Sequence, residues 1–182
     1  MKLTLDQTEM LALWKRRHFI EPLRADCTIE RTDGIDIDAR CREEMRAWYL
    51  DLLRHGPVEV LAPAEIAGEC RAVVSPEGVT ELILPAGVER VLSVQLSGWC
   101  RAATVITDPC HPTVRLQENP FSRGGVEAPV AIWTPGSEVV RLMSAVAAET
   151  PVASVRAAVD AGPDLYTFDE QAVALINPQP LI

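Results

Sequence analysis

Apolar and polar residues along this chain repeat in two different rhythms. Between about Asp36 and Arg54 the residues Ile37, Cys41, Met45, Trp48, Tyr49, Leu52 and Leu53 recur every three or four positions, which predicts an amphipathic helix. Arg40 with Glu44 and Glu43 with Arg46 are spaced to pair on its outer face. Arg54-His55-Gly56-Pro57 supplies cations and then two breakers at its end. A shorter helix is expected earlier, running to about Arg17. Thr4-Leu5-Asp6-Gln7 reads as its capping box, Met10, Leu13 and Trp14 as one face, and Lys15 to His18 as cations at the negative end of its dipole.

Beyond Ser75-Pro76-Glu77-Gly78 the rhythm changes to short β-branched runs separated by Pro and Gly. Strands are predicted at Val79–Leu84, Arg90–Leu96, Ala102–Thr107, Pro129–Trp133, Glu138–Met143 and Val152–Val159. Within the second of these, Leu92, Val94 and Leu96 alternate with Val91, Ser93 and Gln95, giving one apolar and one small polar face. Trp133-Thr134-Pro135-Gly136-Ser137 reads as a hairpin turn and Asp160-Ala161-Gly162-Pro163-Asp164 as a second turn. A short final helix is expected from Phe168-Asp169-Glu170, carrying Ala172, Val173 and Leu175, and ending at Asn177-Pro178-Gln179-Pro180. Ala64–Gly68 reads as a helical turn leading into a strand, without a clear period of its own. The fold class that follows is α+β in one domain of 182 residues, with N-terminal helices over 1–73 packed on a β-rich portion over 74–182, an antiparallel sheet or small sandwich.

Composition narrows the function. A formal charge of −9, with dispersed cations that are nearly all arginine, disfavours nucleic acid as a ligand, because neutralising phosphates takes clustered Lys and Arg. The first residues lack the apolar core of a signal peptide, and no run of 18 apolar residues occurs, so synthesis in the cytoplasm and no membrane partner are expected. Five cysteines, Cys27, Cys41, Cys70, Cys100 and Cys110, are an odd number at irregular spacing and read as reduced, mostly buried thiols.

Candidate chemistry is sparse. There is no Gly-x-Ser-x-Gly elbow, no Cys-x-x-Cys or His-x-x-x-His pair, and no phosphate loop around Ser122-Arg123-Gly124-Gly125. Asp108-Pro109-Cys110-His111-Pro112 gathers acid, thiol and imidazole, but neighbours in a Pro-flanked loop do not face each other as a triad must. Asp33, Asp36 and Asp38 lack calcium-loop spacing and read as helix caps. No catalytic residue, metal site or cofactor is expected.

Three groups remain: Leu84-Pro85 followed by Arg90-Val91-Leu92-Ser93-Val94; Leu96-Ser97-Gly98-Trp99-Cys100-Arg101; and Leu116-Gln117-Glu118-Asn119-Pro120-Phe121-Ser122-Arg123-Gly124, closing with Ala128-Pro129-Val130. In this order, over roughly residues 40 to 135, they resemble small virion proteins encoded near the portal and capsid genes of tailed phages and prophages, particularly those of Bacteroidales hosts. The resemblance implies a structural protein of the virion, a head-to-tail connector or adaptor of the neck. Such a subunit assembles with copies of itself as a ring beneath the portal protein and beside other neck or tail proteins, through heterologous contacts. Trp99, Arg101, Gln117, Asn119, Phe121 and Arg123 are the candidate interface residues, being rich in the aromatic and Arg types of interface centres. The stretch from Asp108 to Ala128 is expected to be a long loop and the preferred contact segment. The competing expectation is a monomeric β-rich module that binds a peptide or a glycan.

Overall fold

The computed structural model describes residues 1–18, 34, 36–75, 78–143 and 150–176. In chain order its elements are β1 (Lys2–Asp6), α1 (Gln7–Arg17), α2 (Ile37–His55), β2 (Ala64–Glu65), β3 (Arg71–Val74), β4 (Thr80–Ile83), β5 (Val88–Leu96), β6 (Thr104–Ile106), α3 (Pro112–Glu118), β7 (Val130–Trp133), β8 (Val139–Leu142), β9 (Val152–Val159) and β10 (Leu165–Asp169). Turns of 3-10 helix lie at Val58–Val60, Ala67–Glu69 and Glu170–Leu175. The fold class is α+β, as the two rhythms imply. Cys27, Asp33, the turn at Pro76 and Glu77, and the Asn177-Pro178-Gln179-Pro180 terminus lie outside the described residues.

The chain divides into two compact units, Met1–Ala62 with Asp160–Ile182, and Pro63–Val159. In the first, β1 pairs antiparallel with β10, from Lys2 opposite Asp169 to Asp6 opposite Leu165. Thr4 therefore lies in a strand, and the capping box of α1 sits two residues later than its sequence signature. Asp6 Oδ1 accepts the Glu9 amide at 2.8 Å, and Glu9 Oε2 accepts the Asp6 amide at 3.0 Å. This aspartate completes the strand and then satisfies the free N–H groups of the helix that follows it directly. Met10, Leu11 and Trp14 are buried on α1, while Leu13 is half-buried.

Helix α2 begins where expected, with Asp36 Oδ1 accepting the Asp38 and Ala39 amides, and it buries Cys41, Met45, Tyr49, Leu52 and Leu53. Arg40 pairs with Glu44 at 3.0 Å, as predicted. Arg46 does not turn to Glu43. Its guanidinium pairs with Asp160 and donates to Gly162 O at 3.0 Å, fastening α2 to the turn before β10. One turn on, the Tyr49 hydroxyl donates to Thr167 O at 3.3 Å and accepts the Thr167 amide at 3.0 Å. Trp48 and Tyr49 also pack on Phe168, and Tyr49 on Tyr166, so the alternate inward residues of β10 meet an aromatic helix face. Phe168 and Asp169 thus end a strand, where the sequence suggested a helix start. The last described element is a 3-10 turn that buries Ala172 and is capped by Asp169.

The second unit holds two sheets around one core. One has the order β2-β9-β5, all antiparallel; the other has the order β3-β4-β8-β7-β6, antiparallel except for β6 beside β7. Ala103 N donates to Val94 O at 2.7 Å, linking the edge of one sheet to the other just before β6. Leu82, Val94, Leu96, Val140, Leu142, Val155 and Trp133 pack between them. All six predicted strands are present. The alternation along β5 differs from the sequence pattern, because Val91 is buried and Leu92 only half-buried. A register shift against β9 between Val91 and Ser93 inserts a residue and reverses the faces upstream of it. The Trp133–Ser137 hairpin turn forms with Gly136 at φ 83°, and the Trp133 indole N–H donates back to Ser137 O at 2.9 Å. Ala64–Gly68 resolves into the short strand β2 followed by a 3-10 turn.

Candidate protein-contact site

Between β6 and β7 the chain makes α3 and a tight loop, where the sequence suggested a long irregular segment. Asp108 Oδ1 accepts the Cys110 amide at 2.8 Å, which turns the backbone back on itself. His111 then caps α3, its ring Nδ1 accepting the Thr113 amide at 3.2 Å, followed by Pro112 at the first helical position. With Nδ1 as acceptor, the neutral ring carries its proton on Nε2. Acid and imidazole are thereby engaged by a turn and a cap.

After α3 the loop is braced from inside. Gln117 is only 3% exposed; its side-chain Oε1 accepts the Gly124 amide at 2.8 Å, and its main-chain carbonyl accepts from Arg123 Nε at 2.8 Å. Asn119 Oδ1 takes the Phe121 amide at 2.9 Å, and the Asn119 carbonyl takes the amides of Ser122 and Arg123 at 3.0 and 3.1 Å. The Ser122 hydroxyl reaches Leu116 O at 2.5 Å. Gly124 passes so close to Ala128 O that a Cβ there would overlap it. The outcome is a shaped loop on which Phe121 is 99% exposed, with Leu116 at 55% and Val126 at 46% exposed before and after it in the chain.

The six candidate interface residues divide by role. Phe121 and Arg101 reach solvent; Gln117, Asn119 and Arg123 hold the loop's shape; Trp99, 5% exposed, belongs to the core between the sheets. Neighbouring Arg101 is a groove of about 460 Å³ along β6, bounded by Thr104, Val105, Asp108, His111, Ala128 and Val130. The sequence shows Arg101, Asp108, His111, Ala128 and Val130 only as separate positions, because the pairing of β6 with β7, which sets Thr104 opposite Val130, is what gathers them around one groove. Four cysteines among the described residues are free. Cys41 is buried and Cys70 half-buried, and burial pushes the Cys70 thiol up to about 11. Cys100 and Cys110 are exposed, so the expectation of mostly buried thiols fails for half of the described cysteines.

Among the described residues no group of three or more His, Cys, Asp or Glu side chains could hold a metal ion, and no helix is long and apolar enough to cross a membrane. What the arrangement offers is apolar contact and hydrogen bonding at a braced loop and an adjacent groove. No protein-family model matches the chain, and no curated protein is detectably similar to it.

Proposed function

We propose that this chain is a structural assembly subunit that acts through protein contacts at the loop around Phe121. The observation that carries the reading is an almost wholly exposed phenylalanine on a loop braced by side-chain and backbone hydrogen bonds. An aromatic ring in water gains by burial, and a loop ordered before binding loses little further entropy when it docks. Both properties favour a rigid contact element over an incidental loop tip. The resemblance of roughly residues 40 to 135 to neck proteins of tailed phages supplies the setting: a virion connector or adaptor that forms a ring with copies of itself and meets the portal protein.

A second reading, a monomeric module for a peptide or glycan, draws support from the groove beside β6, which mixes apolar walls with Arg101, Asp108 and His111. Light scattering separates the two. The assembly reading expects a species of several subunits, or a stoichiometric complex on mixing with the portal protein of the same genome. A strict monomer that ignores portal at high micromolar concentration overturns it in favour of the binding module.

A further inference from the structure

The braced loop and the groove lie on the same unit, yet they do not satisfy one another. Phe121 is 99% exposed and is not among the groove's lining residues. Nor can the loop fold back, because Gln117, Asn119 and Ser122 fix its backbone and Gly124 is wedged against Ala128. We propose that Phe121 of one copy seats in the β6 groove of the next copy, giving a head-to-tail contact. This deepens the assembly reading and rests on it.

The groove suits that occupant in shape and charge. Val105, Ala128 and Val130 contribute apolar surface, and a volume of about 460 Å³ admits an aromatic side chain with its neighbours. The groove carries a cation at Arg101, a proton donor at His111 Nε2 and an anion at Asp108. Exposed Glu118 and half-buried Arg123 lie close to Phe121 in the sequence, so the charges on the loop are opposite in sign to Arg101 and Asp108 of the groove. A chain of net charge −9 repels its copies in general, and local pairing of this kind is what lets two copies approach. A knob and a groove at different places on one subunit make a heterologous interface, which repeats from copy to copy.

Sedimentation velocity of the full chain tests this with two single variants, Phe121→Ser and Thr104→Trp, the second filling the groove from an exposed position on β6. Each variant alone is expected to be folded by circular dichroism and monomeric. Mixed in equal amounts they should form a heterodimer, because the intact Phe121 of one enters the intact groove of the other. Phe121→Leu should retain assembly. Should Thr104→Trp fail to fold, Ala128→Trp closes the same groove from its other wall. Wild-type assembly by Phe121→Ser, or a mixture that stays monomeric, overturns the contact and leaves the assembly reading standing through another surface. A monomeric wild type also overturns it, and portal binding then decides the assembly reading by itself.

Discussion

Replacing Gln117 with methionine keeps the size and apolar stem of a side chain that is 3% exposed, but removes the oxygen that accepts the Gly124 amide at 2.8 Å. A typical amide hydrogen bond contributes about 1 kcal/mol net, and leaving a buried donor without that acceptor costs about 1–3 kcal/mol. Gly124 is half-buried, so water replaces part of the loss, and roughly 1–2 kcal/mol of local stability should disappear. At about 1.4 kcal/mol per factor of ten, the Gly124 amide should exchange with solvent deuterium roughly tenfold faster. Amides of the β7–β8 ladder, such as Val140, should keep their protection, because loosening the loop leaves the core between the sheets intact. The assay is native-state hydrogen exchange by NMR. Unchanged protection at Gly124 would show that the loop is not held by Gln117, and would remove the physical basis for treating Phe121 as a preorganised contact.

Other perturbations reach the rest of the fold. Asp160→Ala strands the Arg46 guanidinium, whose side chain is 23% exposed against 15% for its partner; the cost of breaking a buried pair, reduced for solvent access, is about 2 kcal/mol of urea-unfolding stability, and a loss under about 0.5 kcal/mol would refute the clamp. Asp6→Ala should cost about 1 kcal/mol as a lost helix cap, whereas Thr4→Ala should change little; the reverse order in thermal melts would place the capping box back at Thr4. Glu65 accepts the Ser154 hydroxyl and the Val155 and Ala67 amides, and these bonds, that to Ser154 foremost, hold its carboxyl below the ordinary glutamate range. A lowered folded-state pKa contributes stability that is complete above roughly pH 4.3 and is lost as the pH falls through the lowered value. Glu65→Gln should therefore be less stable than wild type near neutrality, with the gap closing in acid; a gap independent of pH in denaturation series would contradict the assignment.

Some of this was legible in the sequence and some was not, for physical reasons. Helix α2 could be read because its buried residues keep the helical period over 19 residues between a capping Asp36 and Gly56. The strands of the second unit could be read from β-branched runs punctuated by Pro and Gly. Strand β1 was hidden because Thr4 and Gln7 imitate a capping box that Asp6 and Glu9 form, and only β10, some 160 residues away, reveals the pairing. Strand β10 was hidden in turn by its acidic end, Asp169-Glu170, which resembles a helix start. A bulge leaves no mark on a hydrophobic pattern, so strict alternation predicts the wrong phase for β5 around Val91. In the contact segment, residue type pointed to Phe121 and Arg101. The bracing role of Gln117, Asn119 and Arg123 depends on hydrogen bonds that composition does not encode, and the groove exists only once β6 lies beside β7.

The most direct test of function is the native mass of the purified full chain across a concentration series, alone and with the portal protein of the same genome. Assembly through exposed Phe121 predicts a mass that rises with concentration to a multiple of the single chain, or a complex of fixed stoichiometry with portal. A single-chain mass at every concentration, unchanged by portal, would contradict it.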